Sequence, residues 1–147
     1  MREQHSVNTK VIAYDFESLS TQESAKLLQM KLEVDLKDLD VSILVNNVGC
    51  AKFASLDMQS KEDSMRQVNV NVNSQTYMSM FMLPRLLKRE SRSAVINVSS
   101  ICHYKPTGML PVYSATKSYN FALSQSMQNQ FKDKLDVLTV TPSGVKT

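Results

Sequence analysis

The feature of this sequence of 147 residues that most constrains its fold is an alternation of short apolar runs with longer segments of helical character. Apolar runs typical of buried parallel strands lie at residues 9–15, 41–45, 94–98 and 137–141. Between them lie segments long enough for several helical turns, at residues 20–39, 61–89 and 113–135. The order β-α-β-α-β-α-β predicts one α/β domain over residues 1–147, with a parallel sheet covered by helices on both faces.

Local signals mark where these helices begin and where one is interrupted. Ser20 with Glu23 three residues later predicts a capping box, and Ser60 with Asp63 predicts a weaker one. Pro84 lies inside the second helical segment, where proline removes a hydrogen bond and clashes with the preceding turn. We expect that helix to kink or break at Pro84.

Charge and composition exclude several classes of function. The formal net charge is only +3, and no block of like charge is long enough to follow a phosphate backbone, so nucleic acid is not an expected partner. The two cysteines have no metal-ligand spacing and are too few for a disulfide framework, which favours an intracellular, reducing compartment. No apolar run approaches the roughly 20 residues of a membrane span.

Tyr113 and Lys117 form the first candidate catalytic pair. Their spacing of four residues at the start of a predicted helix places both side chains on one face, about one turn apart. A phenol with a pKa of about 10 is a poor acid-base catalyst near neutrality, and a nearby ammonium favours its phenolate form. Alone, the pair is equally consistent with a core aromatic and a solvated lysine.

Polar residues at strand ends extend this candidate site. The third apolar run leads into Ser99 and Ser100, and ligands of open α/β sheets bind at the carboxyl ends of strands. We assign Ser100 to the substrate oxygen and Ser99 to structural hydrogen bonds. The second run ends in the turn N-N-V-G at residues 46–49, where Gly49 lets the backbone approach a ligand closely.

The sequence V-N-V-N-V-N at residues 68–73 is the least regular part of the pattern. It alternates like a strand, although it lies within a helical segment. Three asparagines are unfavourable in a helix, so at least one is expected to have a role beyond packing.

Together, in this order and at these intervals, the motifs at residues 46–49, 95–100 (V-I-N-V-S-S) and 113–117 (Y-S-A-T-K) resemble those of the short-chain dehydrogenase/reductase family. The N-N-V-G turn and V-I-A-Y-D-F-E-S at residues 11–18 are similar to the subgroup of 17-beta-hydroxysteroid dehydrogenases and very-long-chain 3-oxoacyl-CoA reductases. The resemblance implies a partial Rossmann-like, doubly wound parallel sheet containing the family's strands 3 to 6. The resemblance also implies that strands 1, 2 and 7 are missing, since the aligned motifs begin near the end of the family's second helix and stop just after its sixth strand. In agreement, no G-x-x-x-G-x-G phosphate loop occurs in the chain.

Catalytic roles follow from the resemblance. It implies that Tyr113 donates a proton to a carbonyl during reduction and acts as the base during oxidation. Lys117 would lower the pKa of Tyr113 and hold the hydroxyls of the nicotinamide ribose. Ser100 would orient the substrate oxygen, and Asn71 would hold a water molecule in a proton relay. Besides Tyr113 and Lys117, the implied cofactor contacts are Asp15 and Phe16 at the adenine, Asn46 and Gly49 near the adenosine ribose, and Val145 and Thr147 near the nicotinamide carboxamide and pyrophosphate.

The resemblance also implies a cofactor, a substrate class and partners. The expected activity is oxidation or reduction of a secondary alcohol or ketone on a lipid, either a steroid or a 3-oxoacyl-CoA, with NADP(H) in preference to NAD(H) and no metal. A homodimer through the helices carrying Asn71 and Tyr113 is expected, and the subgroup suggests the endoplasmic reticulum rather than the cytoplasm. The alternatives are a truncated, inactive relative that acts as an interaction subunit and, less favoured, a nucleotide-sugar epimerase, which also uses Y-x-x-x-K.

Overall fold

A parallel sheet of three strands organises the part of the chain that the computed structural model describes, residues 7–144. The strands are β1 (Ile43–Asn46), β2 (Ser93–Val98) and β3 (Leu135–Val140), in the spatial order β1-β2-β3. Asn46 lies opposite Asn97, and Asn97 lies opposite Thr139. Three of the four predicted strands, their parallel pairing and the α/β fold class are therefore confirmed.

Within the described residues, four helices connect or precede these strands. They are α1 (Gln22–Asp35), α2 (Lys61–Val68), α3 (Ser74–Lys88) and α4 (Pro111–Phe131). A π-helix at Asn69–Asn73 joins α2 to α3, so the second predicted helical segment is continuous from residue 61 to 88. Short 3-10 turns occur at Phe16–Ser18, Leu56–Met58 and Ile101–His103.

Within residues 7–144, α3 and α4 cover one face of the sheet. Leu44, Val95 and Leu135 project from the three strands into a core with Met82 of α3 and Met127 of α4. The alternate strand residues lie on the other face, where the exposed fractions are 54% for Ile43, 53% for Val45 and 57% for Leu138. The described residues thus place helices on one face of the sheet. The alternation of strands and helices in the sequence predicts helices on both faces.

The predicted strand at residues 9–15 is wrong. This segment is not part of the sheet, and a smaller core of Leu19, Leu28 and Leu32 holds it against α1 through Ile12 and Tyr14. A strand forms only where a neighbouring strand pairs with its backbone. Residues 7–144 provide no neighbouring strand for this segment.

Two helix signals are also corrected. The residue that caps α1 is Thr21, whose Oγ1 accepts from Ser24 N at 3.1 Å while Ser24 Oγ accepts from Thr21 N, so the predicted box at Ser20 is one residue out of place. The cap at Ser60 is confirmed by a 3.0 Å bond from the backbone N–H of residue 63. Helix α3 does not break at Pro84, because this proline lies on the exposed side, where water can bond the carbonyl of the preceding turn.

Candidate active site

Tyr113 and Lys117 meet on one face at the beginning of α4. Pro111 occupies the first turn of this helix, where its missing N–H is not needed, so Tyr113 lies within the first turn. The Lys117 Nζ lies 5.6 Å from the centroid of the Tyr113 ring. The predicted spatial pairing of the two side chains is therefore present in the structure.

Lys117 is anchored to the end of strand β2 at both its side chain and its backbone. Its Nζ donates to Val98 O at 2.9 Å, and Ser99 Oγ donates to Lys117 O at 2.8 Å. Only 3% of Lys117 is exposed, and this burial lowers the pKa of its ammonium from the ordinary value, while nearby Cys50 opposes the shift. The strand end therefore fixes a buried cation beneath Tyr113.

Asn71 joins the turn after β1 to helix α4. Its Nδ2 donates to Cys50 O and to Thr116 Oγ1, both at 2.9 Å, while its Oδ1 accepts from Cys50 N at 2.8 Å. Both amide hydrogens are thereby used, and Oδ1 keeps one lone pair for a further donor. The proposed water contact of Asn71 stays a prediction, and it would have to use Oδ1 or the backbone.

The other two asparagines of the π-helix hold the segment that carries Asp15. Asn69 Nδ2 donates to Glu17 O at 3.1 Å, and Asn73 Nδ2 donates to Leu19 O at 2.8 Å. Asn69 and Asn73 also bond each other at 3.0 Å, as expected for residues four apart on one face of a helix. π-Helices are common at functional sites. This one holds the turn after β1 through Asn71 and, from its opposite face, the segment after Asp15 through Asn69 and Asn73.

Asp15 and Phe16 lie at the beginning of the first 3-10 turn. Asp15 Oδ1 accepts from Glu17 N at 2.9 Å and caps this turn, and the side chain of Asp15 is exposed. Phe16 is partly buried and packs edge-on against Tyr14, with ring centroids 5.3 Å apart. The adenine contacts of Asp15 and Phe16 stay predictions.

Ser100 begins a tight turn that packs against α4. Its Oγ accepts from Cys102 N at 3.2 Å and caps the 3-10 turn at Ile101–His103. In this bond Ser100 Oγ is an acceptor, so its hydroxyl hydrogen remains for a substrate oxygen. Ser100 is 7% exposed, which places that hydroxyl at the edge of the interior.

Asn46 and Gly49 differ in how they face the site. Asn46 Nδ2 donates to Asn97 Oδ1 at 2.8 Å and to Ser79 Oγ at 3.2 Å, inside the layer between sheet and helices. This leaves mainly its backbone for a cofactor contact. A Cβ at Gly49 would lie 3.4 Å from both Asn71 Oδ1 and Lys117 Nζ, so Gly49 keeps open the space above the buried cation.

Val145 and Thr147, the two predicted contacts at the chain's end, lie outside the described residues. Thr116 and the Val98 carbonyl are two positioning groups that sequence reasoning missed. Thr116 Oγ1 accepts from Asn71 and donates to Tyr113 O at 2.7 Å, so it links two of the predicted catalytic residues. Its position inside Y-S-A-T-K, one residue before the lysine, is the signal that could have found it.

The residues present fit a nicotinamide cofactor at its ribose. An ammonium has three hydrogens, and Lys117 uses one of them on Val98 O. The space that Gly49 leaves beside Lys117 Nζ and Asn71 Oδ1 therefore offers donors and an acceptor to a ribose diol. Among residues 7–144, no group of three or more His, Cys, Asp or Glu side chains could hold a metal ion.

Comparison with known proteins identifies the family to which this chain belongs. The family described as short chain dehydrogenase matches residues 1–147, and the chain therefore belongs to it. The human very-long-chain 3-oxoacyl-CoA reductase is 31% identical over all of this chain, and that of Anas platyrhynchos is 32% identical over 99% of it. In both cases the chain spans 46% of the relative's length.

Solved structures support the same fold. The bulky-bulky ketone specific alcohol dehydrogenase from Comamonas testosteroni has a TM-score of 0.84 at 24% identity, with 99% of this chain and 55% of that chain covered. A short-chain dehydrogenase from Sphingobium yanoikuyae in complex with NADPH also has a TM-score of 0.84, at 22% identity, with 99% and 54% covered. A family member from Burkholderia phymatum in complex with NAD has a TM-score of 0.79 at 17% identity, with 91% and 47% covered.

Proposed function

We propose that this chain carries the acid-base site of an NAD(P)(H)-dependent oxidoreductase that interconverts a ketone and a secondary alcohol on a lipid. The observation that carries this proposal is the buried Lys117 ammonium, which is fixed to Val98 O and lies 5.6 Å from the Tyr113 ring. A buried cation beside a phenol stabilises the phenolate that remains after the phenol gives up its proton. Family membership and the enzyme names of the relatives support the same activity.

In the reducing direction, the chain's own residues handle the proton. The Ser100 hydroxyl donates a hydrogen bond to the carbonyl oxygen of the substrate as negative charge develops there. The Tyr113 hydroxyl transfers its proton to that oxygen, and Lys117 stabilises the resulting phenolate. When bound, the nicotinamide cofactor supplies the hydride.

We also propose a particular cofactor, substrate and cellular compartment. NADP(H) is proposed in preference to NAD(H), on the resemblance to the 3-oxoacyl-CoA reductase and hydroxysteroid dehydrogenase subgroup. A long-chain 3-oxoacyl-CoA is the favoured substrate because the curated relatives carry that name, and a 17-ketosteroid is the second. The endoplasmic reticulum is proposed on the same resemblance. No helix within residues 7–144 has the length and apolar character needed to cross a membrane.

The test compares turnover of the purified chain and of Tyr113→Phe with each substrate, using NADPH and NADH in parallel. Tyr113→Phe is expected to lower kcat by about 10²–10⁴-fold, the usual contribution of a general acid. Tyr104→Phe is the control, because Tyr104 is 83% exposed, and it is expected to retain full activity. Equal kcat for Tyr113→Phe and the native chain would refute the assignment.

A second candidate is an interaction subunit without turnover, formed by two copies of the chain. Two exposed side chains favour this candidate. Met80 is 65% exposed on α3, the helix that follows Asn71, and Tyr119 is 39% exposed on α4, the helix that carries Tyr113. Sedimentation equilibrium of the native chain and of Met80→Glu tests this contact. A dimer that Met80→Glu dissociates, without turnover in either protein, supports the interaction subunit. A monomer at all concentrations excludes it.

A further inference from the structure

His103 lies three residues after Ser100 and bonds back to it. Its ring Nδ1 is 2.6 Å from Ser100 O, and its backbone N donates to the same oxygen at 3.0 Å. Because a carbonyl oxygen only accepts, Nδ1 carries a hydrogen in this contact. The turn that begins at Ser100 is therefore closed by two bonds from a single residue.

The opposite side of His103 is held by helix α4. Its ring stacks on Phe121, with centroids 4.1 Å apart and an angle of 13° between the planes. Ser118 Oγ lies 3.1 Å from His103 O and 3.0 Å from Ser114 O, and its single hydrogen is shared between these two carbonyl oxygens. Ser118 follows Lys117 directly, so His103 fastens the Ser100 turn to the helix that carries Tyr113 and Lys117.

We propose that His103 is a positioning residue that sets the place of the Ser100 hydroxyl relative to Tyr113. This inference rests on the proposed function. Ser100 Oγ accepts from Cys102 N, so the direction of the hydroxyl follows the geometry of the turn. Without His103 the turn keeps its backbone bonds and loses both its link to the Phe121 ring and its second bond to Ser100 O. Displacement of a catalytic group by about 1 Å can cost as much as 10²-fold in rate.

Three substitutions separate the contributions of the ring. His103→Phe keeps an aromatic ring for Phe121 and removes the Nδ1 hydrogen. His103→Asn keeps an N–H at the position of Nδ1 and removes the stack, and His103→Ala removes both. Lys105→Ala is the matched control in the same loop, because the side chain of Lys105 is exposed.

The measurements are kcat and KM with NADPH and a long-chain 3-oxoacyl-CoA, and hydrogen exchange at the Cys102 amide. We expect His103→Ala to lower kcat about tenfold with KM nearly unchanged, because the bond from Ser100 strengthens in the transition state. His103→Phe and His103→Asn are expected to lose less, and Lys105→Ala to match the native chain. The Cys102 amide is expected to exchange about tenfold faster in His103→Ala, since its acceptor Ser100 Oγ is no longer held.

The outcomes separate this inference from the proposed function. If kcat of all three variants stays within about twofold of the native chain while their unfolding midpoints fall, His103 is only structural and the inference fails. If the native chain shows no turnover, the interaction subunit replaces the oxidoreductase as the favoured function of this chain. Exchange at Cys102 then decides whether His103 holds the Ser100 turn, and an unchanged exchange rate in His103→Ala would overturn the inference.

Discussion

Replacing Asn71 with alanine tests whether this side chain holds the site together. Asn71 is 1% exposed and makes three hydrogen bonds, two to the backbone of Cys50 and one to Thr116. The substitution removes the partners of the Cys50 N–H and C=O. A buried polar group without a partner costs about 1–3 kcal/mol. Because Cys50 is half-buried and water can replace part of the loss, we expect a decrease of about 2–4 kcal/mol in the free energy of unfolding.

The assay for Asn71→Ala is urea unfolding followed by circular dichroism. The midpoint is expected to fall while the slope m is unchanged, since the surface exposed on unfolding is the same. Asn129→Ala is the control, because Asn129 lies exposed near the end of α4 and such changes usually stay within about 0.5 kcal/mol. A loss below about 1 kcal/mol for Asn71→Ala, equal to that of the control, would refute the view that these bonds fix the turn after β1.

Two further predictions concern neighbouring polar residues. Burial lowers the pKa of Lys117 in the folded chain below its ordinary 10.5. At pH values between the folded and the unfolded pKa, the unfolded chain therefore binds more protons than the folded chain. The contribution of Lys117 to stability consequently rises with pH through that window. The free energy of unfolding of the native chain relative to Lys117→Met is therefore expected to increase from neutral pH toward pH 10.5, and a pH-independent difference would contradict the burial effect. Asn46→Ala leaves the fully buried Asn97 Oδ1 without its 2.8 Å donor, so we expect a loss of about 1–3 kcal/mol in urea unfolding. The NADPH affinity of the folded protein is expected to stay within about twofold, and an affinity loss without destabilisation would instead place the Asn46 side chain at the cofactor.

The strands were predictable where composition alone decides them. The runs that form β1, β2 and β3 are apolar on both faces, as is typical of parallel strands, and the structure confirms them within two residues at either end. Residues 9–15 carry the same composition, but pairing depends on a neighbouring strand, which no local pattern reveals. The exact residue that caps α1 could not be predicted either. Ser20 and Thr21 are adjacent hydroxyl residues, and packing of the following helix selects Thr21.

The candidate catalytic side chains could be selected from the sequence, whereas the contacts that hold them could not. Tyr113 and Lys117 stand out through spacing, Ser100 through its position after a strand, and the family resemblance added Asn71. The supports are contacts between residues distant in the sequence, such as the Lys117 ammonium on Val98 O and the His103 ring on Phe121. Their geometry arises only after the sheet and α4 have packed together.

The π-helix at Asn69–Asn73 also limits which changes in chain length this region can accept. An α-helix turns by about 100° per residue, so deleting one residue here would rotate all of α3 by that angle relative to α2. Met82 and Leu86, each 1% exposed against the sheet, would then turn away from it. A substitution such as Asn71→Ala removes individual hydrogen bonds, whereas an insertion or deletion would shift the core-facing side of α3 relative to the candidate active site. Length is therefore expected to vary less than residue identity between residues 61 and 88 when this segment is aligned with its relatives.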